Sequence, residues 1–327
     1  MPKESPRDTQ IEPVGLIGLG LMGRGIACCL LAHGLKVMAF NRTAGRAQAS
    51  MAHIERALQE LLRRRVVRRD QIVNWKTRFS LCDSPAGLKP CRFVIESVRE
   101  DVALKRRIYD ELEAIVSPRV IVASNTSSLP ITVLQSGRKH PARFIGMHWG
   151  EPAQIMRYLE IIPGRRTSKR AIQLARQLGE ICGKEPTLLK QDIQGFLSNR
   201  MMYAMIREAC YLVEQGIADI ETVDRSFRND IGWWATLAGP FRWMDLTGIP
   251  AYQLVMKGLL PQLCNAKTVP KIMRDMVASG AQGISNAQGF YRYSKESAKR
   301  WEKAWTDFTY DIRDVAERYS EGRISAP

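Results

Sequence analysis

The chain is predicted to be an α/β protein, with an N-terminal doubly wound sheet followed by an all-α C-terminal domain. Three observations carry this expectation. Short apolar runs suited to buried strands alternate with helix-period segments from Val14 to about residue 190. A glycine-rich turn joins the first strand to the first helix. From Phe196 the pattern is helical almost to the end, interrupted at Gly216, Gly239-Pro240, Gly248-Ile249-Pro250 and residues 281–283.

In chain order, residues 1–13 are polar and proline-containing and read as a flexible tail without the apolar core of a signal peptide. Residues 14–17 form a buried strand. Gly18, Gly20 and Gly23 then give G-x-G-x-x-G. The first glycine allows a tight turn, the second lets backbone approach a pyrophosphate, and the third lets helix and strand pack. Residues 22–32 follow as an apolar helix, and the amides of Leu21 and Met22 at its start face the phosphates. Gly34 caps it, and residues 35–40 form the second strand. This is a Rossmann-type dinucleotide site.

The end of the second strand bears on which dinucleotide. An NAD site usually places Asp or Glu there for the ribose 2′-hydroxyl. Here Asn41, Arg42 and Thr43 stand in that place, with Arg46 one turn later. With no carboxylate to repel a 2′-phosphate and a guanidinium to bind one, NADP(H) is favoured. NAD(H) is the alternative, with both arginines solvated and Asn41 on the ribose.

Residues 50–80 read as a helical hairpin inserted before the third strand, with Arg63, Arg64, Arg65, Arg68 and Arg69 at its tip. Such runs are usually solvated faces; the functional reading is a clamp for a distant phosphate group. Residues 92–98 are the fourth strand and 101–116 an amphipathic helix. Residues 120–123 are the fifth strand, followed by Ser124-Asn125-Thr126-Ser127-Ser128. Small polar residues at a strand's carboxyl end lie where an open parallel sheet binds ligands, which puts Asn125 among the cofactor contacts. Residues 144–147 form a strand delivering His148, residues 157–162 a strand containing Glu160, 168–182 a helix, and 188–190 close the sheet. The expected domains are 14–190 for the dinucleotide and 191–327 for substrate and dimerisation.

Oxidation of an alcohol by hydride transfer needs a base for the hydroxyl proton, and His suits that task near neutrality. Of the four histidines (His33, His53, His140 and His148), only His148 follows a buried strand of the cofactor domain. Glu160 sits in an apolar strand and needs a partner, because a lone buried carboxylate is costly. His148 is the candidate, with a structural histidine as the competing reading.

Composition bounds the rest. The chain has 327 residues, 45% hydrophobic and 25% charged, and no run approaches a membrane span. Seven cysteines, without a C-x-x-C, read as free thiols in a reducing cytoplasm. No metal is expected, because no His/Cys/Asp cluster has ligand spacing. The net charge of +16 admits nucleic acid, but no nucleic-acid motif is present and none is expected as a partner. The tryptophans Trp233, Trp234, Trp243, Trp301 and Trp305 fall in the helical half, as core or subunit-interface anchors.

The glycine turn, the basic hairpin, VIESVRED, ASNTSSLPIT, GMHWGEP, YLEIIPG and DIQGFLSNR, in that order, resemble the 3-hydroxyacyl-CoA dehydrogenase family over nearly the whole chain. The resemblance implies His148 as catalytic base, Glu160 as its orienting carboxylate, Ser127 on the substrate hydroxyl and Asn199 helping to hold the substrate. It also implies Glu100 and Lys105 near the nicotinamide ribose, and a homodimer formed through the helical half.

Two departures stand out. The family's His-Phe-Phe-Asn-Pro is His148-Trp149-Gly150-Glu151-Pro152 here, which implies a reshaped substrate mouth. Residues 230–241 look more like relatives acting on free hydroxy acids or sugar acids, such as gulonate and carnitine dehydrogenases. The family mostly uses NAD and carries Asp where Asn41 stands. Three readings follow: a 3-hydroxyacyl-CoA dehydrogenase, a dehydrogenase of a small acid without CoA, and a non-catalytic nucleotide-binding protein like the lambda-crystallin relatives.

Overall fold

The computed structural model describes residues 11–319, and only the backbone of residues 44–47. Eight strands form one sheet: β1 (Val14–Ile17), β2 (Val37–Phe40), β3 (Phe79–Cys82), β4 (Phe93–Glu96), β5 (Ile121–Ser124), β6 (Phe144–Trp149), β7 (Tyr158–Pro163) and β8 (Glu185–Leu188). Their order is β3-β2-β1-β4-β5-β6-β7-β8, with every neighbouring pair parallel except β6 and β7. The chain leaves β1 for β2 on one side and returns as β4 on the other. The crevice at the carboxyl ends of β1 and β4 is therefore the switch point where such sheets bind ligands.

The helices of this part are α1 (Leu21–Ala32), α2 (Ala44–Arg63), the one-turn α3 (Arg69–Ile72), α4 (Val102–Ile115), α5 (Ile131–Gln135) and α6 (Lys169–Ile181). One face of the sheet packs Val94, Val122, Phe144 and Ile162 against Ile108 and Leu112 of α4 and Ile131 and Leu134 of α5. The other is covered by α1, buried from Ile26 to Ala32, and by α6, whose Gly179 leaves room for Leu159. Burial on both faces explains why the central strands read as continuous apolar runs.

The second part is helical: α7 (Ser198–Glu214), α8 (Ile220–Asn229), α9 (Ile231–Ala235), α10 (Pro240–Thr247), α11 (Ile249–Leu259), α12 (Lys271–Ala278) and α13 (Lys295–Arg318). Trp234 and Trp243 stack within it, with centroids 5.4 Å apart. Trp233, Trp301 and Trp305 are exposed.

Several expectations need correction. Residues 11–13 are not loose: Ile11 is buried, and Glu12 accepts a hydrogen bond from the amide of Lys36. The segment 50–80 is not a pair of helices. After α2 the chain makes only the single turn α3 and a 3-10 turn, because no second stretch there keeps an apolar stripe long enough to bury. The compact units divide at Asn199 and Arg200 rather than near 190. The reason is that residues 192–198 fold back: Asp192 accepts from Thr132, and Phe196 is fully buried in the core of the first unit.

Candidate active site

The phosphate turn shows what each glycine does. Gly18 has φ +92°, a left-handed conformation, and a Cβ there would sit 2.6 Å from the Ser97 carbonyl oxygen. A Cβ on Gly23 would lie 1.9 Å from the Gly18 oxygen, so helix and turn touch through hydrogen atoms alone. At Gly20 a Cβ would meet nothing, which leaves open backbone beside the first turn of α1. Gly20 caps α1 without a side chain, so the amides of Leu21 and Met22 remain for an anion. The Ser50 hydroxyl donates to the Leu19 carbonyl at 2.9 Å and fixes the turn from α2. This donor set fits a dinucleotide pyrophosphate. Beside it lies a mainly apolar pocket lined by Ile17, Phe40, Pro85, Val98 and Leu104, with Arg42 and Glu111 also in its lining, suited to an adenine.

At the tip of β2, Asn41 is committed to the protein. Its Oδ1 accepts from the Leu19 amide at 3.1 Å, and its Nδ2 donates to the Thr43 carbonyl at 2.9 Å. Arg42 and Thr43 are exposed. Arg46 lies outside the residues whose side chains are described.

From the turn, hydrogen bonds run across the sheet ends. Ser97 donates its amide to Ile17 at 2.8 Å, and its hydroxyl accepts from Asn125 Nδ2 at 3.2 Å. The Asn125 Oδ1 accepts the amide of Trp149 at 3.0 Å. Asn125 therefore ties the ends of β4 and β6 together, next to His148.

His148 lies inside β6, not after it, and in the antiparallel register it stands directly opposite Glu160 of β7. Residues so paired project from the same face with their Cβ atoms close. Their side chains meet with Nδ1 3.0 Å from Oε2; Glu160 is 1% exposed and His148 11%. Burial alone would raise the Glu160 carboxyl. Hydrogen bonds from His148, Tyr158 and the Ser198 amide outweigh it and hold the group below the usual carboxylate range. An ionised Glu160 can only accept, so Nδ1 donates to it, and Nε2 is the ring nitrogen not engaged by the carboxylate.

The other oxygen of Glu160 accepts the amides of Leu197 and Ser198 at 3.0 Å each, at the N-terminal end of α7. Those amides are aimed by Phe196, a buried residue at φ +54° whose ring lies 5.7 Å from the imidazole. A left-handed non-glycine held by its packing is the kind of strain that marks a functional site. Asn199 Nδ2, at the end of the first unit, donates to the Ser127 carbonyl at 2.8 Å and so also holds the 124–128 loop.

A depressed carboxyl contributes stability above its unfolded value and loses it as pH falls through the folded value. The reference value for Glu160 is 4.5. Below that pH, Tm of the wild type is expected to fall more steeply than Tm of Glu160→Gln. Parallel acid limbs in a pH series of melts would show that the carboxylate is not held as described.

Glu100 and Lys105 stand behind the loop. Glu100 accepts from the Thr126 hydroxyl and from the amides of Ser127 and Ser128 at 2.9 Å each. Lys105 has no exposed surface; its ammonium lies 2.7 Å from Glu96 and 3.5 Å from Glu100. Glu96 in turn accepts from Tyr109, Ser124 and the Val98 amide. Glu96, Tyr109, Thr126 and Tyr158 were missed in the sequence. Glu96 carried the same signal as Glu160, a carboxylate in an otherwise apolar strand.

Trp149 does not reshape the mouth by facing it. Strand alternation sends it to the opposite side from His148, where it is 2% exposed with the Lys184 ammonium 5.5 Å from its ring. Glu151, just past the strand, is exposed. At the basic segment, Arg63 and Arg64 pair with Glu60, and Arg68 with Asp70.

Comparison with known proteins agrees with this architecture. Residues 13–193 match the model of the 3-hydroxyacyl-CoA dehydrogenase NAD-binding domain, and residues 195–293 that of the family's C-terminal domain. The chain is 32% identical over 302 residues to 5-formyl-3-hydroxy-2-methylpyridine 4-carboxylate 5-dehydrogenase of Mesorhizobium japonicum, covering 88% of this chain and 93% of that one. It is 31% identical over 284 residues to 3-hydroxybutyryl-CoA dehydrogenase of Bradyrhizobium diazoefficiens, covering 86% and 96%.

Among solved structures, one of a 5-formyl-3-hydroxy-2-methylpyridine 4-carboxylic acid 5-dehydrogenase, described as an NAD+-dependent dismutase, superposes with a TM-score of 0.87 at 28% identity, covering 93% and 98%. The (S)-3-hydroxybutyryl-CoA dehydrogenase of Ralstonia eutropha superposes at 0.72 and 31% identity, covering 86% and 98%. With both domain models matched in order across a sheet of this topology, the chain belongs to the 3-hydroxyacyl-CoA dehydrogenase family, whose members are NAD-binding oxidoreductases acting on CH–OH groups.

Proposed function

We propose that the protein moves a hydride between the C3 hydroxyl or ketone of a 3-hydroxyacyl substrate and a nicotinamide cofactor, with His148 as general base. The observation that carries this reading is the buried His148–Glu160 pair, in which the carboxylate engages Nδ1 and leaves Nε2 for a substrate. The bound nicotinamide supplies the hydride acceptor. His148 Nε2 takes the hydroxyl proton, and the adjoining carboxylate stabilises the imidazolium that results. In the reverse direction the protonated ring returns it. Ser127 and Asn199 hold the reacting oxygen near the ring, supplying orientation and polar stabilisation. Gly18, Gly20, Leu21, Met22, Gly23 and Asn125 would hold the cofactor, and Glu100 and Lys105 keep the 124–128 loop in place.

On the cofactor, Arg42 in the pocket lining and the lack of a carboxylate among Asn41, Arg42 and Thr43 at the end of β2 support NADP(H) over NAD(H). A guanidinium–phosphate bond is worth about 1.5–3 kcal/mol. Arg42→Ala is therefore expected to lower kcat/KM for NADP(H) by about ten- to a hundredfold and leave NAD(H) nearly unchanged. A wild-type preference for NAD(H), untouched by the substitution, would reject this.

A second reading, a small carboxylic acid substrate without CoA, is favoured by two observations. The superposition is better on the pyridine-carboxylate dehydrogenase than on the hydroxybutyryl-CoA enzyme. Three guanidinium groups of the basic segment are also already paired with neighbouring carboxylates. Steady-state rates with acetoacetyl-CoA and free acetoacetate separate the two. On the CoA reading the thioester is preferred at least about tenfold, a difference of about 1.4 kcal/mol. Equal rates would remove that reading.

Exposed Trp233, Phe241 and Trp301 in a unit whose helices α7 to α12 contain no fully buried residue support a homodimer. Seven free cysteines support a cytoplasmic location.

A further inference from the structure

Away from the candidate active site, on the α1–α6 side of the sheet, three metal-ligating side chains converge. Cys29 of α1 and His33, the residue that caps it, are four residues apart and share one face. Cys182 comes from the end of α6, 153 residues beyond Cys29. The ligand atoms of the three all lie within 4.8 Å of one another. The Cys29 thiol lies 4.0 Å from His33 Nδ1 and 3.7 Å from the Cys182 carbonyl oxygen.

Three further features suit a cation. His33 Nδ1 donates to the Cys29 carbonyl at 2.8 Å, which leaves the Nε2 lone pair free. Ring nitrogens that bind metals are commonly fixed in this way by a backbone oxygen. Nε2 faces the turn after α6, since a Cβ on Gly183 would lie 3.2 Å from it. His33 and Cys182 are the C-terminal caps of α1 and α6, so the negative ends of two helix dipoles meet here. Against them stands the neighbouring Lys184 ammonium, which is held by the carbonyls of Ala153 and Met156 but keeps its positive charge.

We propose that Cys29, His33 and Cys182 bind a divalent zinc-type cation that clips the end of α1 to the end of α6. Two sulfurs and one imidazole form a soft, borderline donor set of the kind zinc takes, with a fourth position left for water on the partly exposed His33 side. Spacing along the chain does not reveal it, because two ligands come from α1 and its cap and the third arrives only through the fold. The clip is separate from the proposed chemistry at His148, although α1 is also the helix that begins at the phosphate turn.

The test uses the reduced, metal-stripped full-length chain. Zn2+ is titrated against a chromophoric chelator, and Co2+ is followed by its thiolate charge-transfer absorption. One equivalent is expected to bind to the wild type and equally to Cys28→Ser, whose thiol is outside the cluster. Affinity is expected to drop by at least about tenfold in His33→Gln, which spares the core, and in Cys182→Ser. Zn2+ is also expected to raise Tm of the wild type but not of His33→Gln. Equal Zn2+ affinity in wild type and His33→Gln, or an isolated chain with Cys29 and Cys182 joined as a disulfide that on reduction takes up no Zn2+, would overturn the proposal.

Discussion

His148→Ala is expected to slow turnover by about 10²–10⁴-fold while leaving cofactor affinity unchanged. The reasoning starts from the register. Pairing His148 opposite Glu160 in an antiparallel ladder fixes the imidazole on one face, and the carboxylate fixes its tautomer. On the proposed mechanism, removing the ring takes away the acceptor for the substrate proton but none of the groups at the glycine turn. Glu160 keeps the Leu197 and Ser198 amides and Tyr158, so the variant still folds. Cofactor titration followed by fluorescence, together with single-turnover kinetics, checks both halves. A variant with full turnover, or one that loses the cofactor along with activity, would contradict the assignment.

Lys105→Met is expected to have the largest effect on stability. Lys105 and Glu96 are both wholly buried, and stripping one partner from a buried pair costs about 3–5 kcal/mol. The bonds to Glu96 from Tyr109, Ser124 and Val98 place this case near the lower end. About 3 kcal/mol corresponds to a fall in Tm of roughly 6–12 °C for a unit of this size. Activity should fall further than stability alone explains, because Glu100 loses the cation behind it and the Ser127 loop hangs on Glu100. Changing both partners, as Glu96→Gln with Lys105→Met, should recover most of the Tm. If the single variant melted with the wild type, the pair would not be stabilising the loop.

The sheet was largely legible because its strands are buried on both faces and its glycine turn has a physical reason at each position. Gly18 makes the tight turn and Gly23 the close helix packing that the spacing implied, and Gly20 leaves open space beside them. The His148–Glu160 pairing was legible as a buried carboxylate in want of a partner, but its register was not, since nothing local says that β7 turns antiparallel. Trp149 misled for the same reason: beside the histidine in sequence, it faces the other way in a strand. The Glu96–Lys105–Glu100 strut was read only in fragments, because its members are spread over a strand, a loop and a helix. The basic segment looked like one patch, yet Glu60 and Asp70 take up part of it. Only side-chain geometry shows that.

The most direct measurement is a crystal structure of the protein with oxidised cofactor and a 3-hydroxyacyl ligand. His148 Nε2 is expected within about 3 Å of the C3 oxygen, with Glu160 still on Nδ1 and the nicotinamide on the other side of C3. An imidazole turned from that oxygen, or a ligand seated away from the crevice at β1 and β4, would contradict the proposed chemistry.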